Sequence, residues 1–206
     1  MHARIAAFEN PNASRFDELV GRVRDRESTG KAFPDALGMY LLVDGAAGAS
    51  LGISIFEDEA AVRRAEPAFE KLGEEIPEEL RGRRVSVETY EVAIHEVSDD
   101  VHAARVTTFA GDPSQVEKSL RHAVEEVLPE LRTIDGWQGI IVAVDRGSGA
   151  EKVITLWESE EAMSASETQA DQIRSTVADS ASQKIESVRR FDVPMAFDRA
   201  PRLIEV

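Results

Sequence analysis

The stretch AARVTTFA at 103–110 reads as a second writing of ARIAAFE at 3–9. Placing Arg105 on Arg4 and Phe109 on Phe8 sets an offset of 101 residues. The same offset pairs Leu19 with Leu120, Val23 with Val124, Gly38 with Gly139 and Val43–Asp44 with Val144–Asp145. It goes on through Phe56–Glu57 with Trp157–Glu158, Glu59 with Glu160, Val87 with Val188 and Tyr90 with Phe191, with no insertion. One match could be chance. So many at one spacing define a tandem duplication, with repeats over 1–96 and 102–206 and the polar segment HEVSDDVH (95–102) as linker.

Each repeat has the same order of hydrophobic periodicities. In the first, a strand at 2–9 is followed by NPNAS (10–14) and a helix near 14–27; strands near 37–43 and 50–56 flank the glycine-rich turn DGAAGAS, a helix covers about 58–74, and a last strand covers 84–94. The second repeats this with strands near 103–109, 138–144, 151–157 and 186–193 and helices near 113–128 and 160–178. Asp112-Pro113 reads as a cap followed by proline at the first helical position, and Ser159 before Glu160 and Glu161 as a second helix start. Pro67 is expected to kink or shorten its helix.

The order βαββαβ predicts an α+β fold of two ferredoxin-like repeats, each sheet in the order 4-1-3-2 with both helices on one face. Alternation leaves Ile5, Ala7, Leu42, Ile53 and Ile55, and in the second repeat Val106, Ile141, Ile154 and Leu156, on the faces without helices. These faces are too apolar for water, so the two sheets are expected to pack face to face within one chain as a pseudo-dimeric α/β barrel. A monomer with internal pseudo-two-fold symmetry, or a weak homodimer, is the matching expectation.

Composition narrows the function classes. With 24 basic and 39 acidic residues the net charge is −15, and both halves are acidic, so a phosphate backbone would be repelled and no nucleic-acid partner is expected. No apolar run approaches the roughly 20 residues that span a bilayer. The start MHARIAAFENP shows no apolar signal core, and the absence of cysteine fits a reducing compartment; a cytoplasmic location is expected.

On the helix-facing side, Arg105, Thr107 and Phe109 share one face of their strand, as do Val153, Thr155 and Trp157, and Phe191 and Val193. Neighbouring strands could bring Phe191, Phe109 and Trp157 into an aromatic row, with Tyr90, Phe8 and Phe56 as the first repeat's counterpart. Such a row either floors a pocket for a flat molecule or is plain core. The second repeat has the more polar company, with Thr107 for Ala6, Thr155 for Ser54 and Trp157 for Phe56. That tilts any site toward it.

The stretch DGWQGIIVAVDRGSGAEKVITLWESEEAM (135–163) resembles the antibiotic biosynthesis monooxygenase family of the dimeric α/β-barrel superfamily. The resemblance rests on Gly136-Trp137-Gln138-Gly139 before a strand–turn–strand, and on Trp157-Glu158-Ser159-Glu160-Glu161-Ala162 at the following helix start. The first repeat is a weaker copy, FPDALG (33–38) and FEDEAA (56–61), with Asp35 and Ala36 in place of Gly136 and Trp137. The resemblance implies a cofactor-independent monooxygenase of an aromatic or quinol-like molecule, without metal or cofactor. Trp157 would then wall the substrate, Arg105 would hold an enolate or phenolate, and Thr107, Phe109, Thr155, Phe191 and Trp137 would bind the substrate. The alternative is a non-catalytic or stress-associated domain that holds a hydrophobic small molecule. The asparagine some members use is replaced by Val153, and the helix after Trp157 lacks the histidine of haem-degrading members.

Other motifs carry less. His2, His95, His102 and His122 show no i,i+4 spacing or HExxH pattern, and His122 is expected on an exposed or boundary face. Glycines 45, 48, 147 and 149 join hairpin strands rather than forming a phosphate loop, and RGRR (81–84) reads as a solvated strand entrance.

Overall fold

The computed structural model describes residues 1–9, 15–27 and 33–204; the NPNAS segment lies outside them. Strands β1 (His2–Glu9), β2 (Ala36–Asp44), β3 (Ala49–Phe56) and β4 (Arg83–Val97) belong to the first repeat, with helices α1 (Phe16–Glu27), α2 (Glu59–Glu75) and the short α3 (Glu78–Arg81). The second repeat holds β5 (Ala103–Ala110), β6 (Trp137–Asp145), β7 (Ala150–Trp157), β8 (Lys184–Asp198) and the short β9 (Leu203–Ile204). Its helices are α4 (Val116–His122), α5 (Leu128–Leu131), α6 (Glu160–Ala165) and α7 (Glu167–Ser180), with a π-helical segment, Ala123–Val127, joining α4 to α5.

The strand order is β1-β3-β2-β8-β5-β7-β6-β4-β9, and β1 also pairs with β4, so the hydrogen-bonded ladder closes. Both repeats show the expected 4-1-3-2 order, and the fold is that of two ferredoxin-like repeats forming an eight-strand barrel. Closure comes from length. β4 and β8 are 15 residues each, about twice what their own sheets need. The end of β8 pairs with β2 (Met39↔Phe197) and the end of β4 pairs with β6 (His95↔Ile141). The compact units accordingly cut across the repeat boundary: Met1–Tyr90 with Asp192–Ala200, and Glu91–Phe191 with Pro201–Val206. The segment read as a linker is shorter than expected, because β4 takes up His95–Val97.

Local chemistry explains the helix starts. Asp58 and Ser159, equivalent under the 101-residue offset, both cap: Asp58 Oδ1 accepts from Ala61 N (2.6 Å) and Ser159 Oγ from Ala162 N (3.1 Å). Asp112 accepts from Ser114 N ahead of Pro113, as its sequence predicts. Pro67 does not shorten α2, which runs unbroken past it.

The signature Gly136-x-x-Gly139 has a steric reason. Gly136 has φ +76° and a Cβ there would lie 2.5 Å from Ala162 Cβ; at Gly139 (φ +155°) it would lie 2.4 Å from Glu96 O on β4. At Gly38, the first repeat's equivalent, the nearest atom would be 3.4 Å away. The one signature glycine the first repeat keeps is thus under a looser steric demand than its counterpart.

Candidate functional site

Antiparallel register decides which aromatic residues meet. Ala103 faces Trp157 across β5 and β7, while Phe109 faces Glu151. Phe109 and Trp157 therefore lie six residues apart along the ladder, roughly 20 Å. The aromatic row expected from parity does not form, because parity fixes the face of a strand and not the position along it. The first repeat repeats the outcome, with His2 opposite Phe56 and Phe8 opposite Ser50.

The sequence-selected residues of the second repeat fall into three places. Arg105, Thr107, Phe109 and Thr155 line a cavity of about 50 Å³ under α4 and α7, room for a few waters but not for an aromatic ligand. Trp157 is fully buried at the other end, clustered with Ala103 and Met163, with Trp137 packed against them, and its Nε1 donates to Thr155 Oγ1 at 3.1 Å. Phe191 is buried beneath the Arg189 guanidinium, 4.9 Å from its ring centre. Arg105 ties β5 to the α6–α7 junction, donating to Met163 O (2.6 Å), Ser166 Oγ (3.2 Å) and Glu167 (3.0 Å). Burial pulls its pKa down, and the Glu167 carboxylate opposes that. His122 is half-buried, at the boundary.

The larger space lies in the first repeat. A cavity of about 460 Å³ opens between its sheet and α2, within the range of small-molecule sites. Ala6, Ser50, Gly52 and Ser54 give it a floor of small side chains, and Phe8, Leu19, Met39, Phe69, Leu72, Ile76 and Met195 give it apolar walls. Arg4, Arg81, Arg83 and Arg84 line it with Glu70, Glu74 and Glu78. Arg4 is buried, forked onto Glu66 (Nε to Oε1 2.8 Å, Nη2 to Oε2 3.2 Å) and stacked on Phe69 with its guanidinium carbon 4.0 Å from the ring centre. Phe69 in turn stacks on Phe33 at 4.3 Å. Arg84 holds Glu70 at 2.8 Å, and that guanidinium keeps the carboxyl below the usual range.

The difference between the two cavities can be read residue by residue. At the offset of 101, Ala6 becomes Thr107, Ser50 becomes Glu151, Gly52 becomes Val153, Ser54 becomes Thr155 and Gly73 becomes Arg174. All ten of these residues line their respective cavities. A Cβ on Gly52 or on Gly73 would meet nothing within 4 Å, whereas Arg174 is buried and held by Glu167 (2.8 Å) and Asp171 (2.9 Å). Two of the substitutions that tilted the sequence reading toward the second repeat, Thr107 and Thr155, are among those that occupy its space, while Trp157 lies outside it. Gly52 and Gly73 were the missed signals, visible only once the repeats are compared position by position. Among the described residues no group of three histidines or acids is arranged to hold a metal ion.

Comparison with known proteins agrees on fold. The chain matches no protein-family model. It is 39% identical over 75 residues to the uncharacterized protein Rv2558 of Mycobacterium tuberculosis, covering 36% of this chain and 32% of that one. Rv2557 of the same organism is 36% identical over 76 residues, covering 37% and 34%. The matched region thus spans about a third of these curated relatives. Among solved structures, one named "Putative monooxygenase (FN1347)" from Fusobacterium nucleatum superposes with TM-score 0.73 at 13% identity, covering 100% of this chain and 98% of that one. An anthrone oxidase-like protein gives TM-score 0.65 at 13% identity with coverage of 100% and 96%. A monooxygenase-like protein of Listeria innocua gives 0.55 at 9%, covering 93% and 94%. The fold is ferredoxin-like and shared with these monooxygenase-like structures, and at such identities the likeness is one of fold alone.

Proposed function

We propose that the protein binds an aromatic, largely hydrophobic small molecule in the cavity of the first repeat and acts on it as a cofactor-independent monooxygenase of quinol-like substrates. One observation carries this: a cavity of about 460 Å³ with an aromatic and aliphatic wall and a buried arginine in it. A phenol or hydroxyanthrone bound there as its anion can give an electron to dioxygen itself. One oxygen atom then ends as a carbonyl on the ring carbon and the other leaves as water, taking both hydrogens of the CH2 carbon in an anthrone, or the ring C–H hydrogen and the hydroxyl proton in a phenol. The protein's share is to orient the ring, exclude water and stabilise the anion. Arg4, fixed by Glu66, is the positive charge placed to do so. On this reading Arg105, Thr107, Phe109, Thr155, Phe191, Trp137 and Trp157 hold the second repeat together as scaffold.

A second reading, binding without turnover, is favoured by the charge pairing. Glu70 is committed to Arg84 and Glu66 to Arg4, which leaves neither carboxylate free as a base. One experiment separates the readings: titration with a dihydroxyanthraquinone followed by its visible absorbance, alongside oxygen uptake on the corresponding anthrone. Uptake above the uncatalysed rate supports the enzyme, and saturable binding without uptake supports the binder. No binding and no uptake rejects both.

A further inference from the structure

Arg81 differs from the other arginines around this cavity. Arg4, Arg83 and Arg84 each have a carboxylate partner, in Glu66, Glu9 and Glu70. Arg81 instead donates to main-chain carbonyls, Nε to Ile76 O and Nη1 to Gly82 O, both at 3.2 Å. Those bonds fix the guanidinium at the end of α3 and leave Nη2 without a bond among the described residues. The side chain is half-buried on the cavity wall. A guanidinium already oriented by its own backbone gives up little further freedom on binding an anion, and being partly shielded it is screened less than a surface charge. Glu70, Glu74 and Glu78 also line the cavity; Glu70 is held by Arg84 and also feels the Arg81 charge, but all three are exposed, where water weakens their repulsion of an anion.

We propose that Arg81 is a specificity residue of the cavity and that the ligand is an aromatic carboxylic acid, its ring against Leu72 and Ile76 and its carboxylate on Arg81. This rests on the proposed use of the cavity and adds the chemical class of what fills it. The geometry is one-sided: the ring of Phe8 and the chains of Leu72, Met39 and Met195 offer an apolar body no charge, so Arg81, the one lining arginine without a carboxylate partner among the described residues, is where a polar end gains most.

The test compares a dihydroxyanthraquinone with the same ring bearing one carboxylic acid, on the full chain and on Arg81→Gln and Arg81→Lys, by absorbance titration. The acid should bind the unaltered protein about tenfold more tightly, one charge-assisted bond's worth. Arg81→Gln should erase that difference, weakening the acid far more than the neutral ring, and Arg81→Lys should keep part of it. Equal affinity of the two probes, or a preference that survives Arg81→Gln, overturns the proposal and leaves the cavity reading intact. Failure of both probes to bind the unaltered protein sinks the cavity reading itself. If Arg81→Gln does not fold, the salt dependence of the two probes on the unaltered protein decides: a preference that vanishes in high salt supports a cationic anchor, and one unaffected by salt, or absent throughout, overturns it.

Discussion

Arg4 on β1 and Glu66 on α2 form a forked ion pair, 2.8 and 3.2 Å, across the space between sheet and helix. Arg105 on β5 and Glu167 on α7 repeat it at 3.0 Å, each 101 residues on. The strand-to-helix tie was kept in both copies while the residues around it diverged. In the first copy the tie borders an open cavity. In the second, Arg174 and Arg190 join the same carboxylate at 2.8 and 2.7 Å.

Two carboxylates should therefore give opposite pH dependences. Burial pushes Glu167 up, but Arg190, Arg174 and Arg105 outweigh it and hold the carboxyl at about 2, against an ordinary 4.5. Its contribution is complete above about pH 4.5 and is lost as pH falls toward 2. Glu167→Gln should cost about 2–3 kcal/mol at neutral pH, a buried-pair figure reduced for partial exposure, and should flatten the acid limb of a melting profile.

Glu151 has the other sign. Burial raises its pKa above 4.5, against the lowering bonds from Ser119 and Gln183. A raised carboxyl contributes stability below its unfolded value that fades as pH rises through the folded one. Glu151→Gln should leave the fold unchanged at low pH and raise the melting temperature near neutrality. A mutant that melts lower at pH 7 would show that the carboxylate itself is needed.

Filling the first cavity with the second repeat's residues should close it. Gly52→Val and Gly73→Arg place side chains where a Cβ meets nothing within 4 Å, so neither should strain the backbone. The helical change should add about 1 kcal/mol through propensity alone. Melting temperature should hold or rise while dihydroxyanthraquinone binding is lost. Unchanged binding in the double mutant would place the ligand elsewhere.

Trp157→Phe separates scaffold from site in the second repeat. The indole is fully buried and bonded to Thr155, so its loss should cost about 1–3 kcal/mol. Ligand affinity should not move, since the proposed cavity draws no wall from Trp157. A fall in affinity larger than the fall in stability would restore Trp157 as a substrate wall.

The two signature glycines of equivalent position should not be equally sensitive. Gly139→Ala must relieve a 2.4 Å approach to Glu96 O in a left-handed backbone, costing about 2–3 kcal/mol. Gly38→Ala meets only ordinary contact at 3.4 Å and should stay within about 0.5 kcal/mol. Thermal unfolding of the pair checks both.

What the sequence determined by itself was the architecture. Duplication at a fixed offset, strand alternation and cap residues such as Asp112 and Ser159 are local or periodic properties, and each is fixed by a few neighbouring residues whatever the rest of the chain does. The tertiary structure alone decided where open space lies. Parity put Phe109 and Trp157 on one face, but antiparallel pairing sends them to opposite ends of the ladder. The lengths of β4 and β8 carry each into pairing with the other repeat, which strand propensity cannot foresee. Cavity volume is a sum over side chains from β1, β3 and α2. Gly52 looks like a weak strand position and Gly73 like a weak helix position, and only their convergence on one volume, set against Val153 and Arg174, leaves room for a ligand.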